Sequence, residues 1–250
     1  MEEIIAVINQ KGGVGKSTTA QAIGQGLTLK GYKVLFIDLD AQGNLSYSLN
    51  AQQTNKTILE VLTGQMQAKD IIQHTETGDI MPSSLQLSGA DLMLTEMGKE
   101  YRLKEAIEPI KSKYDYIIID TPPALGILTV NALTACTGVI IPAQADIYSL
   151  QGIGQLNSTL EAVRKYCNDS FTLKGIVLTR FNKRAVLSRD VADLLEETAK
   201  TLKTKLYKTH IREAVAIKEA QIQKACLFTY APKSNASIDY MNLIEEVINE

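Results

Sequence analysis

The sequence predicts an α/β fold, a mostly parallel twisted sheet with helices on both faces. Two observations predict it. Five short apolar runs rich in β-branched residues recur along the 250-residue chain, and near-continuous runs of this kind suit strands buried on both faces. Segments of helical period separate the runs, and such alternation makes crossover connections and a parallel sheet. No repeat, low-complexity tract or Pro/Ser-rich linker divides the chain, so a single domain over 1–250 is expected. Ligands of such sheets bind at the carboxyl ends of the strands, which directs attention to the residues after each run.

The first run, IIAVIN (4–9), leads directly into KGGVGKST and a helical stretch over Lys16–Lys30. Gly12, Gly13 and Gly15, with Val14 among them, let backbone N–H groups turn inward around phosphate oxygens, and the helix start adds partial positive charge. The P-loop pattern G-x-x-x-x-G-K-[ST] is met at Gly15, Lys16 and Ser17, but its opening glycine is Gln10, and a second lysine, Lys11, stands at the mouth. In this pattern Lys16 reaches the β- and γ-phosphates of ATP, Ser17 ligates Mg²⁺, and Thr18 is placed to donate to the α-phosphate.

The second run, KVLFID (33–38), continues as DLDAQGN. Asp38 and Asp40 are two apart and leave the sheet on one side; a carboxylate there can orient an attacking water or bond to water on Mg²⁺. The third, YIIID (116–120), ends at Asp120, the Walker B position, whose task is to hold the Mg²⁺ shell. The fourth and fifth, GVIIPA (138–143) and KGIVLTRF (174–181), alternate with helical stretches over Gly126–Thr134, Leu150–Tyr166 and Ser188–Lys203.

Composition narrows the class further. A hydrophobic content of 45% suits a globule with a real core, and no apolar run approaches the length of a membrane span. With no leader-like opening and three cysteines (Cys136, Cys167, Cys226) at no metal or redox spacing, buried thiols in a cytoplasmic protein are expected. The net charge of −2 is unevenly spread: Lys174 to Lys224 holds 12 Lys+Arg against 6 Asp+Glu, a net of +6, and the other 199 residues hold 14 against 22, a net of −8. A polyanion-facing surface and a set of solvated helix faces are both compatible with that asymmetry.

The stretches KGGVGKST, DLDAQGN, YDYIIIDTPP, GILTVNALTA and VIIPAQADIYSLQGIGQL resemble the ParA/Soj family of partition ATPases, of the deviant Walker A (ParA/MinD) class. LTRFNKR and KSNASIDYMNLIEEV extend the resemblance over essentially the whole chain. It implies a P-loop ATPase in which Lys11 is a signature lysine acting across a homodimer on the partner's ATP, much as an arginine finger does, with Asp146 close to that dimer face. Lys16 and Asp40 join Lys11 as the catalytic set. Arg180, Ile211 and Arg212 fall where the family contacts the base. The resemblance further implies nonspecific binding of double-stranded DNA, a ParB-like centromere-binding partner that stimulates hydrolysis, and a nucleoid-associated protein of the short type without an N-terminal helix-turn-helix extension. Arg184 matches a family DNA contact, and Lys183, Arg189 and Lys218 are its neighbours in this reading.

The chain departs from the family at four positions. Ala41 replaces the proline after D-x-D, Asp146 a common glutamate, Arg212 a proline that walls the adenine, and Ala216 a frequent arginine. Two alternatives remain beside partition. A MinD-like membrane-cycling ATPase would end in a basic amphipathic helix, whereas this chain ends IDYMNLIEEVINE, without Lys or Arg after Lys233. A metabolic P-loop enzyme is the other; a reductase of the nitrogenase type needs two cluster-holding cysteines per chain, and Cys136 alone does not supply them.

Overall fold

The computed structural model describes residues 2–183 and 185–249, so Arg184, expected at a DNA surface, lies outside the described residues. In chain order the elements are β1 (Glu3–Val7), α1 (Lys16–Leu29), β2 (Val34–Asp38), α2 (Asn44–Ser48), α3 (Ile58–Leu62), β3 (Gln73–Thr75), β4 (Gly78–Met81), α4 (Ala90–Met93), α5 (Arg102–Ile107), β5 (Tyr116–Asp120), α6 (Ile127–Ala135), β6 (Gly138–Gln144), α7 (Ile147–Tyr166), β7 (Thr172–Thr179), α8 (Val186–Thr201), α9 (Val215–Ile222), α10 (Leu227–Tyr230) and α11 (Asn235–Ile248). The strands form one sheet in the order β3-β4-β2-β5-β1-β6-β7, parallel throughout except for the antiparallel pair β3–β4.

The predicted sheet is therefore present, with two additions. All five apolar runs are strands, and β3 and β4 extend the sheet beyond β2. These two are short and polar (QHT and GDIM), with a two-residue turn between them, so they carry no apolar run for a sequence reading to find. The fifth run stops earlier than its apolar pattern: β7 ends at Thr179 because Arg180 turns into the left-handed region at φ 49°.

Alternation along the strands supplies two cores, one per face. Ile4, Ala6, Leu35, Ile37, Ile117 and Ile119 pack with the α3, α5, α6, α7 and α8 side. Ile5, Val7, Phe36, Ile118 and Val177 face α1, α10 and α11. The fit of α1 onto β2 depends on Gly24, where a Cβ would lie 2.1 Å from Cε1 of Phe36. Cys136 and Cys226 are buried as expected, whereas Cys167, at the end of α7, is only half-buried. Among the described residues no helix is long and apolar enough to cross a membrane.

Candidate active site

The loop between β1 and α1 is fixed from three strand ends. Buried Asn9 donates Nδ2 to the Pro142 carbonyl (2.7 Å) and accepts the Lys11 amide on Oδ1 (2.9 Å). Thr179 Oγ1 donates to the Val14 carbonyl (2.7 Å), and Gln144 Nε2 donates to that of Gly13 (3.1 Å). Gly13 (φ 75°) and Gly15 (φ 89°) occupy the left-handed region that a side chain would strain. No side chain caps α1 at Gly15, so its first amides remain available to an anion.

Lys16 begins that helix 7% exposed, with Nζ donating to the Lys11 carbonyl at 3.3 Å. Burial lowers its pKa, against the opposing pull of Asp120 and then Asp40. Lys16, Ser17, Thr18, Gly12, Gly13 and Asp40 border one cleft of about 590 Å³. A larger groove, about 920 Å³, lies between the β3–β4 hairpin and the α9–α10 junction and contains none of the loop residues.

The strand-end carboxylates converge as expected. Asp38 and Asp120 are partners in register on adjacent strands, and both are fully buried. Asp38 organises the turn beyond β2: Oδ2 accepts from the Ser46 amide (2.8 Å) and hydroxyl (2.7 Å), and Oδ1 from the Asp40 amide (3.1 Å). Burial nevertheless pushes its pKa up to about 6, against those hydrogen bonds. Asp120 differs in that neither carboxylate oxygen has a hydrogen-bond partner of normal geometry. Burial, then the Asp38 charge, raise its pKa well above the ordinary range, while the Ser17 hydroxyl and Lys16 favour the ionised form.

A buried, unpartnered carboxylate beside a loop serine fits Mg²⁺, which is usually held by one or two carboxylates plus phosphates and water. Among the described residues there is no cage of three or more His, Cys, Asp or Glu side chains, and that mode of binding needs none. Asp40 is 8% exposed at the cleft wall, and its Oδ1 accepts the Gln42 amide at 3.0 Å.

Lys11 and Asp146, 135 residues apart, meet within the same chain in an ion pair. Gln144 Oε1 is 3.4 Å from the same ammonium, and the Tyr148 ring centroid is 5.9 Å away. Asp146 also caps α7, accepting the Ser149 amide on Oδ1 at 2.9 Å. Partial burial would raise its pKa, but the Lys11 ammonium and the Ser149 amide outweigh that and hold it below the ordinary value. Beside this pair Ile147 and Tyr148 are 55% and 68% exposed, an apolar surface at the rim of a charged site.

Arg180, Ile211 and Arg212 line a narrow slot of about 80 Å³ next to Val14, Gly15 and Tyr240. Arg212 is bound to Asp239 through Nε (2.9 Å), Nη2 (2.6 Å) and its own amide (3.0 Å). Of the residues expected on DNA, Lys183 and Arg189 are exposed, and Lys218 lines both the slot and the phosphate cleft. The basic segment is less uniform than its count: Lys174 pairs with Glu3, Lys200 with Glu196 and Arg212 with Asp239. The sequence reading did not find Asn9, Gln144 or Gln221, whose Nε2 donates to Thr18 Oγ1 at 3.1 Å. Asn9 had one signal, its place immediately before the loop; Gln221 had none.

The chain matches the family model described as an AAA domain over residues 2–173. It is 40% identical over 252 residues to the sporulation initiation inhibitor protein Soj of Bacillus subtilis, covering 99% of this chain and 98% of Soj. The chromosome partitioning protein ParA of Caulobacter vibrioides is 37% identical over 253 residues, covering 98% of this chain and 94% of ParA. Among solved structures, cobyrinic acid a,c-diamide synthase from Mycobacterium smegmatis with bound ADP and magnesium aligns at a TM-score of 0.86 and 33% identity, over 100% of this chain and 95% of that one. With a P-loop, three convergent strand-end carboxylates and full-length similarity to Soj and ParA, the chain belongs to the ParA/Soj family of partition ATPases.

Proposed function

We propose that this protein is a DNA-partition ATPase that closes into a homodimer on ATP, coats double-stranded DNA without sequence preference, and is released when a ParB-like partner stimulates slow hydrolysis. The observation that carries the proposal is Lys11, a second lysine at the mouth of a complete phosphate loop, held by a half-buried ion pair beside an apolar rim. Backbone amides from Gly12 to Thr18 and the Lys16 ammonium would bind the phosphates. Ser17, Asp38 and Asp120 would hold Mg²⁺, which supplies charge neutralisation between the phosphates. Asp40 orients and deprotonates the attacking water. Lys11 leaves Asp146 and reaches the partner's nucleotide, where its charge offsets that developing on the transferring phosphoryl group. Ile147 and Tyr148 then become part of the buried dimer face.

DNA contact falls to Lys183, Arg184 and Arg189, near a nucleoid-facing edge of the dimer. A monomer neutralises few phosphates, and dimerisation roughly doubles that number, so binding should depend on ATP and fall steeply with salt. The test is a salt titration of wild type and Arg184→Glu on several unrelated duplexes with Mg²⁺ and either ATP or ADP. Equal, ATP-dependent binding of wild type to all duplexes is expected, with the log–log salt slope flattened by about two units in the variant, one contact per subunit. Absence of ATP-dependent binding by wild type to any duplex would overturn the partition reading. A second reading, an amide synthase, is suggested by the name of the M. smegmatis structure; it requires ATP turnover that depends on a carboxylic acid substrate and ignores DNA.

A further inference from the structure

The slot lined by Arg180, Ile211 and Arg212 and the phosphate cleft meet at a neck. Five residues line both cavities: Gly15, Thr18, Arg180, Lys218 and Gln221. A ligand with its ring in the slot and its phosphates on the loop must thread its sugar and first phosphate through this neck. Two of the five are cations, and they come from different elements, Arg180 from the turn just past β7 and Lys218 from the middle of α9. Both are exposed, and among the described residues neither has an ion-pair partner. Arg212, also in the slot, contrasts with them because Asp239 already neutralises it.

Two further features fix the geometry. Arg180 sits at φ 49°, in the left-handed region that non-glycine residues adopt uncommonly, which turns the chain at the end of β7. Gln221 lies three residues beyond Lys218 and so on the same face of α9. Its hydrogen bond to Thr18 Oγ1 ties α9 to the first turn of α1. Lys218 is thereby carried over the neck by an element anchored to the phosphate-binding helix itself.

We infer that Arg180 and Lys218 form a cationic clip over the sugar–phosphate portion of the bound nucleotide, with the Gln221–Thr18 hydrogen bond setting α9 in place. The inference rests on the ATP reading above, and it moves Lys218 from the DNA surface to the nucleotide. The gripped portion is common to ATP and ADP, so the clip holds both and does not sense the γ-phosphate. Release of either nucleotide then requires Lys218 and α9 to yield.

The test is calorimetric titration of wild type, Arg180→Gln, Lys218→Gln and Lys218→Arg with ADP, a non-hydrolysable ATP analogue and adenosine, all with Mg²⁺. Each Gln variant should raise the Kd for ADP and for the analogue by the same factor, roughly tenfold for loss of one charge-assisted contact. Adenosine, which keeps the ribose but lacks the charged phosphates, should weaken far less than ADP, Lys218→Arg should restore most of the affinity, and Lys218→Gln should bind DNA normally at saturating ATP analogue. Wild-type affinity for ADP in both Gln variants, with loss of DNA binding in Lys218→Gln, would overturn the clip and return Lys218 to the DNA surface. A wild-type protein that bound neither nucleotide would instead overturn the ATP reading on which the clip depends.

Discussion

Replacing Asp146 by Asn removes a charge from the mouth of the loop and little else. The Lys11 and Asp146 side chains are 26% and 31% exposed, so their ion pair belongs to the screened surface class, worth about 0.2–1 kcal/mol. Asparagine keeps an Oδ1 for the Ser149 amide, so the cap of α7 survives. If Lys11 must leave Asp146 to reach a partner's nucleotide, each dimer breaks two such pairs. Asp146→Asn then favours association by about 0.4–2 kcal/mol, or ~2- to 30-fold in the dimer constant. Sedimentation velocity over a range of protein concentrations in ATP and Mg²⁺ measures that constant. The gain should shrink at high salt, where the wild-type pair is already screened. An unchanged constant would refute the restraint, and a weaker dimer would mean that Asp146 contacts the partner.

Three other perturbations probe the same site. Thr179→Val deletes the hydroxyl that donates to the Val14 carbonyl and leaves a buried acceptor unpaired, at about 1–3 kcal/mol; ADP affinity should fall by more than the urea midpoint shift accounts for, and an unchanged affinity would remove Thr179 from the loop's support. Asp40→Ala should slow hydrolysis by roughly a hundredfold or more, as for loss of a general base, and leave nucleotide binding intact; wild-type turnover in a phosphate-release assay would move the role to Asp38. Asp38, with its pKa pushed up to about 6, binds more protons folded than unfolded. The nucleotide-free protein should therefore lose stability as pH rises from about 4 to about 6, and Mg²⁺-dependent nucleotide affinity should fall as pH drops through the same window. Urea midpoints in EDTA and ADP titrations across that range measure both, and an Asp38→Asn variant with an unaltered pH profile would exclude Asp38 as the cause.

What the sequence made legible was whatever is local along the chain. KGGVGKST lies between a strand and a helix within one short segment, and Asp38 and Asp120 end apolar runs, so their convergence followed from the parallel topology. The β3–β4 hairpin escaped because a short polar edge carries neither an apolar run nor long alternation. Contacts across long separations escaped for a different reason: Gln221 reaches Thr18 across 203 residues, and nothing in α9 marks that partner. Charge counted along the chain also ignores partners outside the segment, and Glu3 and Asp239 supply those for Lys174 and Arg212. The place of Lys218 at the cleft comes from the packing of α9, which no local pattern in the sequence marks.

If ATP joins two chains through Lys11, light scattering of wild type and Lys11→Ala with ATP and Mg²⁺ should separate them. The substitution keeps the Lys11 backbone carbonyl that accepts from Lys16, so the variant's own phosphate cradle stays intact. Wild type should move from its 27.4 kDa monomer mass to twice that value on adding ATP, and Lys11→Ala should bind nucleotide yet remain at the monomer mass. A Lys11→Ala protein that doubles its mass in ATP as readily as wild type would remove Lys11 from the dimer interface.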